Sequence, residues 1–347
     1  MSLYSDFKPR KTRNFIDNAS FAVLQRGTGP FTTSSGITAD RWGFPYSIGA
    51  DSASITIQTV DNPPSTAVEV SYANLRINAV TQKTTYSSGE YIFLRHSMEG
   101  WNFLGLVGQM ATLSFWVKAT VPGKYAVNFR NNANTASYVS EYTIYASDTW
   151  ERKVINVSFD YGSVGSGGWN LTSERGVQIG FTAACGSTYQ TSSLDQWISG
   201  NYLASTNQAV YSSTINNIFA IARIQLELGM VTTPFEVLDL FTEYNRALRY
   251  FEYKYLVVPA TQTANSNGVA YFNIEFAEKR IKPSSITVDS PRLWNSTWRN
   301  ATSTTYNTAA GYPGRALMIF YDNVNTDYST SFSNLCDGAF NINSELL

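Results

Sequence analysis

The chain reads as a mainly β protein: a jelly-roll β-sandwich, one linking α-helix and a small C-terminal β domain. Three observations predict this. Many short stretches alternate apolar and polar residues with the two-residue period of a strand. Clusters of Gly, Pro, Asn and Ser separate them, and helical periodicity is absent before about residue 239. Aromatic residues make up 14% of the chain and charged residues only 15%, which suits sheets whose surface is neutral and hydrogen-bonding. The 347 residues leave room for one β domain of roughly 220 residues and another of roughly 100.

Residues 1–13 carry Lys8, Arg10, Lys11 and Arg13 among little apolar content, which predicts an attachment arm that orders on a partner. Residues 14–235 are expected to form the sandwich. Its strands show as Ala53-Ile55-Ile57, Ile92-Leu94-His96-Met98, Leu113-Phe115-Val117, Tyr125-Val127-Phe129, Ile155-Val157-Phe159 and Val177-Ile179-Phe181. In the last strand of this set, Ala222, Ile224, Leu226 and Leu228 fall on a core face and Arg223, Gln225 and Glu227 on a face toward water. Trp42, Trp101 and Trp116 sit beside strands and are expected in the core.

Gly229 then frees a turn, and Pro234 keeps Thr233 extended. A linking helix follows within residues 236–255, capped by Asp239, with Phe241, Tyr244, Leu248, Phe251 and Tyr255 as its apolar stripe. Residues 256–347 are expected to form the tip domain. Its strands begin with Ala270-Phe272-Ile274-Phe276, Ile286-Val288 and Leu317-Ile319-Tyr321, around one long polar loop from Ser290 to Gly314.

Charge and chemistry exclude several functions. With Lys+Arg 25 against Asp+Glu 26, the attraction that drives phosphate-backbone or anionic-membrane binding is missing, so neither nucleic acid nor a membrane is an expected partner. The N-terminus lacks the apolar run of a signal peptide and no stretch has the length of a membrane span, so the protein is expected to be made in the cytoplasm. Cys185 and Cys336 lie in different expected domains and read as free thiols. His96 is the single histidine, and its register with Ile92, Leu94 and Met98 marks it as a core residue. One His and two distant Cys do not make a usual zinc site.

The run Gly162 to Asn170 lacks the Gly-Lys-Ser/Thr ending of a phosphate loop. Asp160, Glu174 and Asp195 are the carboxylates considered for an acid/base pair. The expectation is no enzyme, no catalytic residue, no cofactor and no bound metal. What remains is aromatic: Trp294, Trp298, Tyr306 and Tyr312 stand among Asn, Ser and Thr, the mixture that sets a ring against a sugar face while polar side chains take the hydroxyls. Those four are the expected glycan-binding residues.

Residues 14–253 resemble a group of bacteriophage tail-fibre and virion structural proteins that carry a carbohydrate-binding-module-like jelly roll. The resemblance rests on NFIDNASFAVLQRGT (Asn14 to Thr28), TADRWGF (Thr38 to Phe44), YIFLRHSMEG (Tyr91 to Gly100), ATLSFWVKAT (Ala111 to Thr120) and DTWERKVINV (Asp148 to Val157). It continues with WISGNYLAS (Trp197 to Ser205) and QLELGMVTTPFE (Gln225 to Glu236) leading into RYFEY (Arg249 to Tyr253). FAEKRIKPSSITV (Phe276 to Val288) and DGAFNINSEL (Asp337 to Leu346) look like early and closing strands of the small β domain that often follows. Leu24 stands where many relatives have Trp.

The resemblance implies a structural part of the virion that presents loops to a host-surface glycan. It implies a homotrimer, an expectation the helix supports if Tyr250 and Phe251 cannot both face one domain. The arm would hold other virion proteins, on the tail or on the capsid exterior. The alternatives from other classes are a capsid or head-fibre decoration protein without a receptor role and, behind it, a glycan depolymerase. In related sugar-binding jelly rolls a calcium can sit between first and last strands, and Asn18, Asp40 and Glu227 are the oxygen donors here that such a site would use.

Overall fold

The structure is a computed structural model. It describes residues 12–345 apart from 35, 52, 66–68, 161–167, 263–268, 282, 296, 301–302, 308–314 and 322–333, and within 258–273 and 290–339 it describes backbone only. The chain divides into two compact units, one running through Glu243 and one spanning Tyr244–Glu345.

The first unit holds β1 (Gly36–Ile37), β2 (Trp42–Phe44), β3 (Tyr46–Ser47), β4 (Ala53–Gln58), β5 (Asn74–Ala79), β6 (Tyr91–Glu99), β7 (Met110–Ala119), β8 (Gly123–Asn131), β9 (Ala136–Ile144) and β10 (Glu151–Ser158). It continues with β11 (Arg175–Cys185), β12 (Gln190–Thr191), β13 (Trp197–Ser199), β14 (Ala204–Ser205) and β15 (Ile218–Leu228). The larger sheet runs β1-β2-β6-β11-β8-β9-β13 with β3 beside β6, and the smaller runs β10-β7-β15-β5-β4. Each expected strand of the sandwich is present. A helical turn that periodicity did not show, α1 (Gly100–Phe103), follows β6.

The core lies where the alternation put it. Ile92, Leu94, Val127, Phe129, Ile179 and Phe181 from the larger sheet meet Leu75, Ile77, Leu113, Phe115, Ile221 and Leu226 from the smaller one in a single cluster. Each buried side chain of this size contributes about 1.5–3 kcal/mol of transfer free energy. Trp42 is in the core, edge-on to Phe21 at 5.2 Å. Trp101 and Trp116 are only half-buried, which corrects the expectation for both. Leu24 is a partly buried residue packed against the core.

Two readings of β15 change. First, its register against β7 slips by one between Ala222 and Gln225, and Arg223 sits at that bulge with φ 46°. One extra residue moves the pattern to the other face, so Ile221 and Ile224 share the core cluster. Ala222, opposite Trp116, stands outside that cluster. Second, the polar side does not meet water: Arg223, Gln225 and Glu227 are buried. Glu227 accepts the Thr233 N–H (2.8 Å) and hydroxyl (2.6 Å), and the Glu236 N–H donates to Gln225 Oε1 (2.7 Å). Residues 233–236 thus lie over the strand they follow.

The helix α2 (Leu240–Leu248) is shorter than the 236–255 expected. Asp239 caps it, its carboxylate accepting the Thr242 N–H (2.9 Å) and hydroxyl (2.6 Å). Its buried positions are Glu243 and Ala247, while Phe241, Tyr244 and Tyr255 are exposed, so the expected apolar stripe is corrected. Glu243 is drawn in because it accepts the Asn18 N–H (2.8 Å). At the other end the Leu248 carbonyl accepts Lys279 Nζ, and Phe251 already begins a strand. Tyr250 and Phe251 are both buried in the single chain, which removes the helix as an argument for a trimer.

The second unit is one seven-stranded sheet of β16 (Phe251–Gln262), β17 (Val269–Glu275), β18 (Ser285–Asn295), β19 (Thr297–Asn300), β20 (Ser303–Asn307), β21 (Arg315–Tyr321) and β22 (Asn334–Asn343). Their order is β19-β18-β22-β16-β17-β21-β20. β22 pairs with β16 along Phe251↔Asn343 to Ala260↔Asn334, so the closing strand is central. The span from Ser290 to Gly314 is therefore not one loop: the end of β18, β19 and β20 all fall in it. Its Thr, Trp and Tyr are strand-favouring residues, and they outweigh the Asn and Ser that suggested a loop. Among the described residues no helix is long and apolar enough to cross a membrane.

Candidate functional site

The residues expected to bind glycan fall in the second unit. Trp294 of β18 and Trp298 of β19 are direct cross-strand partners, and Tyr306 of β20 stands opposite Met318. These are backbone positions, and the side chains, with all of Tyr312, lie outside the described residues.

A different site is described fully in the first unit, on the face of the larger sheet turned away from the core. Alternation in β6 sends Ile92, Leu94, His96 and Met98 inward, so Tyr91, Phe93 and Arg95 point outward. β11 adds Gln178 and β8 adds Arg130 on the same face. Gln178 is the cross-strand partner of Arg130.

That face is partly covered by the segment between β11 and β15. Asn128 Nδ2 (3.1 Å) and the Thr182 hydroxyl (2.7 Å) both donate to the Leu203 carbonyl, and the Ser137 hydroxyl donates to that of Gly200 (2.6 Å). Leu203 and Ala204 then pack on Phe93, Ala126 and Val139 in a second small core. Where the cover stops, a recess of about 170 Å³ remains between it and the sheet. Tyr91 and Tyr189 meet edge-to-face at 5.2 Å and line it together with Phe93.

Three arginines line the recess: Arg95, Arg130 and Arg175. All are buried, at 8%, 4% and 9% exposure, which is rare for a charged side chain. Arg95 has glycine opposite it on both sides, Gly43 in β2 and Gly180 in β11. A Cβ at Gly43 would come within 3.2 Å of the Arg95 guanidinium, and one at Gly180 within 2.6 Å of the Asn128 amide. The two glycines leave the space in which those side chains lie.

Arg130 donates to Asn201 Oδ1 (2.7 Å) and to Gln178 Oε1, and its guanidinium lies over the Phe93 ring at 5.1 Å. Its Nε is buried and finds no acceptor among the described residues. Burial first, and then the like charges of Arg175 and Arg95, push its pKa down. Arg175 donates to the Asn132 carbonyl and, at 3.5 Å, to Asn134 Oδ1. Burial lowers its pKa as well. No carboxylate is among the described residues that line the recess. The arrangement is a donor-rich hollow with aromatic walls, suited to accept oxygen atoms and a ring.

The other candidates resolve into structure. His96 is fully buried, 5.1 Å from the Trp42 ring, and its Nε2 accepts the Asp17 N–H (3.3 Å). Cys185 is a buried free thiol that burial pushes up to about 12, far from the thiolate a nucleophile needs. Asp160 and Glu174 are exposed at opposite ends of the connection between β10 and β11, and Asp195 is exposed between β12 and β13; Asp195 accepts the Ser140 hydroxyl (2.6 Å).

The oxygen donors expected for calcium are already used. Asn18 Oδ1 accepts the Val23 N–H (2.9 Å), Asp40 accepts the Gln25 N–H and side-chain amide (2.8 and 2.9 Å), and Glu227 holds Thr233. Among the described residues no three His, Cys, Asp or Glu side chains group as metal ligands. A wider hollow of about 290 Å³ lies by Glu69, Arg152 and Pro234. Arg152 there bonds the Thr233 carbonyl (3.4 Å), and nothing in it converges as the three arginines do.

No protein-family model matches the chain, and no curated protein matches it in sequence. Solved structures similar to it include a family 61 carbohydrate-binding module in complex with β-1,4-galactotriose, at 11% identity and a TM-score of 0.30, covering 63% of this chain and 100% of that one. A putative sugar-binding protein from Bacteroides thetaiotaomicron matches at 14% and 0.35, covering 62% and 100%. The family 11 carbohydrate-binding module of a Clostridium thermocellum cellulosomal cellulase matches at 13% and 0.29, covering 59% and 98%. At identities and TM-scores this low, the β-sandwich is established by the chain's own two-sheet topology.

Proposed function

We propose that this chain is a non-catalytic glycan-binding subunit of a bacteriophage virion, with the recess on the larger sheet as its binding site. The observation that carries the binding half is the recess itself, where Arg95, Arg130 and Gln178 stand beneath aromatic walls of Tyr91 and Tyr189. At about 170 Å³ it is smaller than the ~300–1,000 Å³ of drug-sized ligand sites. One sugar unit of a longer chain fits such a hollow; an extended oligosaccharide would run across its rim.

The virion half rests on the sequence resemblance over residues 14–253. In that setting the arm of residues 1–13 attaches to other virion proteins, the subunits form a homotrimer, and weak single sites gain avidity from three copies. The test is a glycan array probed with the purified full chain and with Gln178→Ala and Tyr189→Ala variants. Retention of host-surface glycans by the parent and their loss by both variants is the expected result; no retained glycan, or retention by both variants, rejects the recess. Crosslinked mass reads the trimer, and immunolabelling of intact particles separates tail, capsid and free protein.

A further inference from the structure

We propose that the recess selects an oxyanion carried by a sugar, a uronate-type carboxylate or a sulfate or phosphate ester, so that the glycan it binds is acidic. This rests on the reading of the recess as the glycan site and adds the chemical class of the ligand.

The argument begins with what buried cations require. A guanidinium taken out of water is costly unless it is paired and hydrogen-bonded. Arg130 is held by two neutral side-chain oxygens and an aromatic ring, and its Nε donor is unused among the described residues. After burial, the largest influences on it are the like charges of Arg175 and Arg95, which line the same hollow. Three like charges line one small hollow: Arg130 is tied to Asn201 and Gln178 and Arg175 to the Asn132 carbonyl, while the absence of a side chain at Gly43 leaves room for Arg95.

An anion in the hollow reverses the sign of that interaction. Guanidinium groups present planar pairs of N–H donors that match carboxylate, sulfate and phosphate oxygens, and such charge-assisted bonds are about twice as strong as neutral ones. A neutral sugar supplies hydroxyls, which donate as well as accept. Their hydrogens find no carboxylate among the described lining residues, and acceptors such as Gln178 Oε1 and Asn201 Oδ1 are already engaged. The donor excess therefore favours a ligand that only accepts. The aromatic walls then bear on the ring that carries the anion.

The experiment is titration calorimetry of the full chain with three probes of equal length: a galacturonate oligosaccharide, a sulfated galactan oligosaccharide and a neutral galactan oligosaccharide. The expected result is at least roughly tenfold tighter binding of one or both acidic probes, weakening as salt rises from about 50 to about 200 mM. Which acidic probe prevails separates carboxylate from ester. Arg130→Met, with its unfolding transition retained, is expected to bring the acidic probe down to the affinity of the neutral one; Arg95→Gln is the second variant if the first fails to fold. Equal binding of acidic and neutral probes by the parent would overturn this inference and leave the glycan reading standing. Unchanged acidic binding by a folded variant would overturn the assignment to the recess. Binding of none of the three, with none on the array, would remove both.

Discussion

Arg223 and Arg130 are buried arginines on the outward faces of the two sheets of one sandwich, and they are held in opposite ways. Arg223 donates to Ser71 Oγ (2.7 Å), to the Pro64 carbonyl (3.0 Å) and to the Pro63 carbonyl (3.2 Å). It pairs with Glu69 at 3.5 Å and lies over Trp116 at 5.9 Å. Arg130 has two neutral partners, an unused Nε and cationic neighbours. The first guanidinium is a structural pin that fastens a connection across the bulge of β15. The second is under-satisfied in a hollow, the condition in which a side chain is held ready for something outside the chain. Burial alone does not distinguish them; the census of acceptors does.

Removing the pin tests the comparison most severely. Arg223→Ala removes the donor that the Pro63 and Pro64 carbonyls share and the cation beside Glu69, which keeps the Phe235 N–H (2.9 Å), and it vacates volume over Trp116. Breaking a buried pair by deleting one partner costs about 3–5 kcal/mol, part of it offset here by relief of the left-handed Arg223 backbone only if the bulge is lost. Urea unfolding should show the midpoint falling accordingly. A loss under about 1 kcal/mol would mean that the pin is an ordinary surface contact and that the contrast with Arg130 fails.

The cover over the recess offers a middle-sized effect. Asn128→Ala removes the amide that bonds the Leu203 and Gly180 carbonyls (3.1 and 3.2 Å) and Thr182. The Leu203 carbonyl keeps the Thr182 hydroxyl, so the cost should lie low in the roughly 1–3 kcal/mol range for an unsatisfied buried group. Hydrogen exchange should quicken through residues 189–204 while β15 stays protected. Equal acceleration in both would show that the cover and the pin belong to one cooperative unit.

The second unit supplies another buried cation, paired like Arg223 with a carboxylate. Lys279 is bonded to Glu252 at 2.9 Å. Burial works to raise the Glu252 pKa, but its bonds to Lys254 and Lys279 prevail and hold it below the ordinary glutamate value. A carboxylate depressed in the folded state binds fewer protons folded than unfolded. Its contribution is therefore complete above the unfolded glutamate range and is lost as pH falls through the lower folded value. Stability of this unit should decline as pH drops below about 4.5, and Glu252→Gln should flatten that decline. A decline of the same size in both proteins would place the acid-sensitive group elsewhere.

How far the sequence led differs between these regions for a physical reason. Period-two alternation located β6, β7, β8, β10 and β11, because it reports which side of a strand faces the core, and it placed His96 correctly. It failed at Arg223, where one inserted residue flips the following side chains, a slip that no pattern of apolar residues announces. It also failed for the outward faces, since the covers that bury Arg130 and Gln225 come from residues far along the chain or from irregular segments. The recess left one visible trace: Arg95, Arg130 and Arg175 each interrupt or border strongly apolar strands in a chain with few charges. The aromatic residues around Trp294 and Trp298 drew the eye instead, and their Thr-rich setting proved to be strand.

The smallest expected change in stability is the most telling. Arg130→Met keeps much of the side-chain volume against Phe93 and removes a charge that has no carboxylate beside it among the lining residues. Replacing a buried charge by an apolar residue of similar size is often neutral or stabilising. The bonds given up, to Asn201 and Gln178, leave two amide oxygens lining the recess, where water that enters it can satisfy them. The unfolding midpoint should thus stay within about 1 kcal/mol of the parent, against the several lost with Arg223→Ala. A loss as large as that of Arg223→Ala would show Arg130 to be a second pin, and the recess would then be a by-product of packing with no donor to spare for a ligand.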